Sequence, residues 1–157
     1  MLIALAYTMH DMNIFAQEKP DKVKEPIAIS GVAHVFSSDG KQIYSVTNRG
    51  KFTVFNAANG KEKSSIQLGS GKFSGQNPKI SSFMVHEKSK IVSLVKETGD
   101  RMGSTVARVY DMTTGKMLAY SARRNGRGMP SATVSPLGDK VILAGDSGTR
   151  LATLTRE

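Results

Sequence analysis

Phe36-Ser37-Ser38-Asp39-Gly40-Lys41, a strand-like run, and then Asn59-Gly60-Lys61 form the stretch that decides the fold. The phrase returns as Val85-His86-Glu87-Lys88-Ser89-Lys90 with Thr114-Gly115-Lys116, and again as Val134-Ser135-Pro136-Leu137-Gly138-Asp139-Lys140. The first and last copies lie 98 residues apart, two periods of 49. A repeat of this length implies one small sheet per copy, each stacked on its neighbour because a single unit cannot bury its own apolar face.

Working outward, each copy reads as four short strands between turn signals. In the first, 32–36 forms an inner strand and Ser38 to Lys41 its turn, since Asp-Gly supplies the positive φ that a hairpin needs. Residues 42–47 (QIYSVT) are rich in β-branched and aromatic residues, and 51–56 (KFTVFN) alternate with period two. Residues 64–68 make a fourth strand. The second copy repeats the order at 80–85, 90–96, 105–111 and 117–121, with a longer loop at 97–104. The third offers 131–135, 140–144 and 150–155. Before the first copy, 2–8, 12–16 and 25–29 read as the end of a preceding unit. No apolar stripe at helical spacing competes. The expected fold is all-β: an array of four-stranded antiparallel propeller blades in a single domain, 1–157. It comprises a partial blade 1–30, blades 31–76 and 77–127, and a partial blade 128–157.

The phrases FSSDGK at 36–41, VYDMTTGK at 109–116 and Val134-Ser135-Pro136 with Gly138 resemble the WD40 and YVTN-type β-propeller repeats. The resemblance covers roughly residues 30–157. It implies that the first phrase turns the innermost strand into the second, and that Asp-x-x-Thr-Gly-Lys turns the third into the outer one. The Trp-Asp dipeptide of WD40 repeats is replaced by Phe55-Asn56 and Tyr110-Asp111. About three and a half blades are fewer than the roughly four to eight that close a ring. A protein partner or a second copy is therefore expected to complete the propeller.

Composition narrows the chemistry. The 157 residues include no Cys and no Trp, which excludes disulfides and thiolate catalysis. Lys and Arg number 22 against 13 Asp and Glu, a net charge of +9 that favours an acidic protein face or RNA as partner. The longest apolar run near the N-terminus, Leu2 to Tyr7, is too short for a transmembrane helix or a signal h-region, so no membrane association and an intracellular location are expected.

Candidate sites are sparse. Arg123, Arg124 and Arg127 crowd a glycine-containing loop with Tyr120 beside them. Arginine can grip a phosphate bidentately and Tyr can stack on a base, so these residues are the candidate contact for nucleic acid or an acidic protein. Arg101, in the 97–104 loop, joins them. Gly145-Asp146-Ser147-Gly148 matches the nucleophile phrase of chymotrypsin-like proteases, but it falls where a second strand turns into a third, and no His-Asp pair accompanies it. His10, His34 and His86 form no metal-ligand spacing. No catalytic set, cofactor or metal site can be assigned, and the chain is expected not to be an enzyme. The expected function is a non-catalytic scaffold for protein interaction. The alternatives are a basic, ribonucleoprotein-type binding protein and a fragment of a propeller enzyme of quinoprotein or hydrolase type.

Overall fold

In the computed structural model, residues 26–69, 79–97, 104–123 and 129–155 are described. They form eleven strands in three antiparallel sheets, one per sequence repeat. The first blade orders β1 (Ala33–Phe36), β2 (Gln42–Val46), β3 (Lys51–Asn56) and β4 (Glu62–Gln67) side by side. The second does the same with β5 (Ile80–His86), β6 (Ile91–Glu97), β7 (Thr105–Asp111) and β8 (Met117–Arg123). The third consists of β9 (Ser131–Val134), β10 (Lys140–Gly145) and β11 (Gly148–Thr153). The architecture is all-β and propeller-like, and among the described residues the array is open rather than closed into a ring.

The repeated phrases act as expected at the turns. In the first, the Asp39 carboxylate accepts from Ser37 Oγ at 2.6 Å and from the Lys41 amide at 3.0 Å, and the Gly40 N–H donates to Ser37 O at 2.9 Å. The third copy keeps two of these three bonds, with Ser135 Oγ donating to Asp139 at 2.7 Å and the Gly138 N–H to Ser135 O at 2.9 Å. In the Asp-x-x-Thr-Gly-Lys turn, Asp111 accepts from the amides of Thr113 and Thr114 and from the Thr113 hydroxyl. Asn56 caps the equivalent turn of the preceding repeat, taking the Ala58 amide at 2.8 Å. In these two repeats the residue that follows the aromatic therefore serves as a turn cap. Gly115 closes the Asp111 turn with φ 71°, and a Cβ there would stand 2.1 Å from Gln67 O. Only glycine suits both the left-handed backbone and the close approach of the first blade.

Strand alternation assigns each side chain to one of two joints. Val92, Leu94 and Tyr110 of the second blade turn to the first, where Tyr44, Val46, Phe52, Val54 and Leu68 complete a buried cluster. Ile91 and Val109 turn the other way and meet Val134, Val141 and Leu154. The second blade is therefore apolar on both faces, as a central layer must be.

Two expectations are corrected. The segment expected as a strand at 25–29 has no strand in its described residues, 26–29. Pro26 has no N–H for a ladder. The chain instead lies against the first blade, where Ser45 Oγ donates to Ser30 O at 2.6 Å and Ile27 fills the space above Gly60. The outer strand of the first blade begins at Glu62, two residues before its expected start, because a register shift between Val54 and Phe55 brings Glu62 opposite Phe55. The other strands of the partial blade 1–30 lie outside the described residues.

Candidate functional site: a cleft at the second joint

The joint between the second and third blades is stitched at its rim by backbone and small side chains. Ser121 Oγ on β8 donates to Ala144 O on β10 at 3.1 Å, and the Asp146 amide donates to Ala122 O at 3.0 Å. A Cβ on Gly145 would meet Ser121 Oγ at 2.1 Å and Ala122 O at 2.8 Å, so the absence of a side chain lets the strands approach. β10 and β11 pair up to Gly145 and Gly148, which makes Asp146 and Ser147 the tip of the hairpin. The Gly-Asp-Ser-Gly phrase is thus a two-residue turn.

Beside this seam lies a cleft of about 650 Å³. Its wall carries Tyr120 and Ser121 from β8, Asp146 and Ser147 from the hairpin tip, and Arg150 from β11, over an apolar floor that includes Leu143 and Ala152. Residues bearing one carboxylate, one guanidinium, a phenol and two hydroxyls therefore line a space of small-molecule size. No histidine belongs to this wall, and among the described residues no cluster of His, Cys, Asp or Glu could hold a metal ion.

The structure separates the residues that the sequence grouped. Tyr120 is exposed and lines the cleft. Arg123 ends β8, opposite Thr105. Three residues apart on one strand, the two side chains leave opposite faces. Arg101, Arg124 and Arg127 lie outside the described residues.

Two further polar features were not legible in advance. At the first joint, Glu87 accepts from the Ser38 amide at 2.9 Å and from the Ser38 hydroxyl at 2.7 Å, a bracket between residues 49 positions apart. The repeat period itself was the available signal, since it stacks equivalent turns. The Ser38 hydroxyl bond holds the Glu87 carboxyl below its ordinary pKa. The second feature is Lys96, 1% exposed on β6, whose pKa burial and the nearby Arg108 charge lower to about 8. Its position inside a strand resembles any other lysine in sequence, and only its burial beside Arg108 makes it unusual. Burial also raises the Tyr110 phenol, against the opposing effect of Arg108, which donates to it at 3.4 Å.

Comparison with known proteins returns little. No protein-family model matches the chain, and no curated protein matches it. Among solved structures, a Bacteroides fragilis protein provisionally described as a 6-phosphogluconolactonase aligns with a TM-score of 0.42 and 16% identity, over 77% of this chain and 34% of its own. The chain spans about a third of that protein's length. The expectation of a non-catalytic interaction scaffold is corrected at this point, since the propeller found alongside is described as an enzyme.

Proposed function

We propose that this chain is a segment of a β-propeller enzyme of the hydrolase type, acting on a small hydroxylated ester or lactone. The observation that carries the reading is the cleft at the second joint, where Asp146, Ser147, Ser121, Tyr120 and Arg150 line one space of about 650 Å³. In this reading Asp146 takes the proton from a water whose oxygen attacks the acyl carbon. Arg150 faces the oxyanion that forms, and the same carboxyl returns the proton to the departing alkoxide as the C–O bond breaks. The hydroxyls orient the substrate. Ser121 already donates to Ala144 O, so its oxygen is left to accept from a substrate hydroxyl.

The test is proton release, followed by pH-stat, from a panel of sugar lactones and short esters. Asp146→Asn is expected to lower kcat by about 10²–10⁴-fold, the range of a positioned general base. Arg150→Met is expected to lose kcat as well, with the circular dichroism of both variants unchanged. No turnover of any member of the panel by the native chain would overturn the reading.

The net charge of +9 favours a second reading, binding of single-stranded RNA. Affinity should then fall linearly on a log–log plot against salt, and alanine at Arg123, Arg124 and Arg127 should flatten that slope. Filter binding that is insensitive to salt would reject it. In either reading the repeats are of the WD40 and YVTN-like kind, with Asn56 and Asp111 as their turn caps.

A further inference from the structure

The hairpins that join β1 to β2, β5 to β6 and β9 to β10 turn side by side. Ser38 of the first meets Glu87 of the second, and a Cβ on Gly138 of the third would stand 1.9 Å from Ser89 Cβ. The middle turn departs from its neighbours. The first and third cap themselves with an aspartate, Asp39 taking the Ser37 hydroxyl and Asp139 the Ser135 hydroxyl. Both turn on a left-handed glycine, Gly40 at φ 69° and Gly138 at φ 73°. The second turn has neither residue. Lys90 takes the left-handed position at φ 52°, the one non-glycine among the described residues to do so. Its amide reaches Glu87 O at 3.2 Å, where the glycine amides reach their serine carbonyls at 2.9 Å. A side chain in that backbone region is strained. Glu87, instead of closing its own turn, sends its carboxylate across the joint to Ser38.

The cleft at this turn measures about 430 Å³. Glu87, Lys88 and His86 line it, and Phe36, Val85 and Pro136 add apolar wall from all three blades. Phe36 is 64% exposed. The Ser38 hydroxyl bond lowers the Glu87 pKa and keeps that carboxyl ionised, while burial lowers the pKa of His86 and keeps its ring uncharged at neutral pH. Two opposite charges on adjacent residues therefore border one apolar slot. Ser38 fills one acceptor site on each carboxylate oxygen and the Tyr44 phenol a third, so one of about four remains for a ligand donor. Lys88 is exposed and offers only donors.

A ligand of a single charge matches this wall poorly. A carboxylate alone meets Glu87, and an amine alone meets Lys88. Charges one residue apart suit a molecule whose ammonium and carboxylate sit on the same carbon. We propose that this cleft binds a free amino acid with an apolar side chain, its ammonium on Glu87, its carboxylate on Lys88 and its side chain against Phe36, Val85 and Pro136. Pro136 precedes β10 and Asp146 follows it, so the two clefts lie at opposite ends of the blades. The site is thus independent of the proposed hydrolysis.

Calorimetric titration of the full chain with L-leucine tests this, beside leucinamide, which lacks the carboxylate, and N-acetylleucine, which lacks the ammonium. Leucine is expected to bind saturably. Each blocked analogue should bind about tenfold more weakly, since each forgoes one charge-assisted hydrogen bond. Lys88→Met should abolish the preference for leucine over leucinamide, and Glu87→Gln the preference over N-acetylleucine. Lys88 is exposed, so its variant keeps the fold and stays decisive even where Glu87→Gln loosens the turn. No saturable heat at millimolar leucine overturns the proposal. Equal binding of the blocked analogues overturns it too, as the mark of an apolar slot alone, and so does a leucine affinity that neither variant changes. None of these ligands is an ester or a lactone, so every outcome leaves the hydrolytic reading to its own test.

Discussion

The two joints of this molecule solve the same packing problem with different materials. The first is closed by large side chains: Tyr44 stacks on Phe52 at 5.9 Å, Phe83 meets Phe52 edge-on at 6.3 Å, and Tyr110 and Leu68 fill the remainder. The second relies on Ile91, Val109, Val134, Val141 and Leu154, with Ser121, Ala122 and Gly145 at its rim. Aromatic rings fill the middle of the first seam, and a smaller cleft of about 430 Å³ lies at its rim beside Ser38, His86 and Glu87. Small residues let the backbones of the second touch, and the space beside them becomes the polar cleft.

That comparison can be broken most sharply from the first joint. Phe52→Ala removes the ring that touches both neighbouring aromatics and should cost about 3–5 kcal/mol, whereas Ile91→Val at the second joint should cost about 0.5–1.5 kcal/mol. Urea midpoints of the two variants measure the difference. Equal losses would mean that the joints share one energy scale. Gly145→Ala comes next. Its Cβ has no room against Ser121 and the backbone of β8, so the rim must open, at about 1–3 kcal/mol. Hydrogen exchange should rise at the Asp146 amide, and an unchanged rate there would show that the cleft does not depend on that contact.

Lys96 probes the interior of the second blade by pH. Its folded-state pKa is about 8, against 10.5 for the free side chain. The unfolded chain therefore binds the proton more tightly, and stability rises with pH between those two values. Below the window the folded state carries the full cost of a buried charge. Above it the lysine is neutral in both states and its contribution levels off. Lys96→Met should remove this rise from denaturation curves taken on either side of the window. The smallest effect belongs to the bracket between the turns. Ser38→Ala loses an exposed hydroxyl bond to Glu87, worth under about 1 kcal/mol. Because the folded Glu87 pKa is lowered, that contribution is present above the ordinary carboxyl pKa of 4.5 and fades as pH falls below it. A thermal midpoint in Ser38→Ala that shows the native dependence on acid pH would remove Glu87 from the account.

Most strand positions were legible because turn chemistry is local. Asp39-Gly40, Asn59-Gly60 and Thr114-Gly115 act within a few residues of themselves, and period-two alternation marks the runs between them. The strand expected at 25–29 failed because that segment is held by contacts distant in sequence, from Ser45 and Gly60. The candidate site fared worse. Arg123 and Tyr120 are near in sequence, but they leave β8 on opposite faces. Asp146, Ser147 and Arg150 read as a turn and a strand, and they become a wall only when β8 of the neighbouring blade lies against them.

What the sequence determined by itself was the blade: its four-strand order, its turn caps and its 49-residue period, all set by backbone preferences and alternation within one repeat. What the tertiary structure decided was everything that passes between repeats. The burial that lowers Lys96, the Ser38 to Glu87 bracket and the cleft arise where segments distant in the chain are laid on one another. Desolvation and shape are properties of that stacking, and no single stretch of chain encodes them.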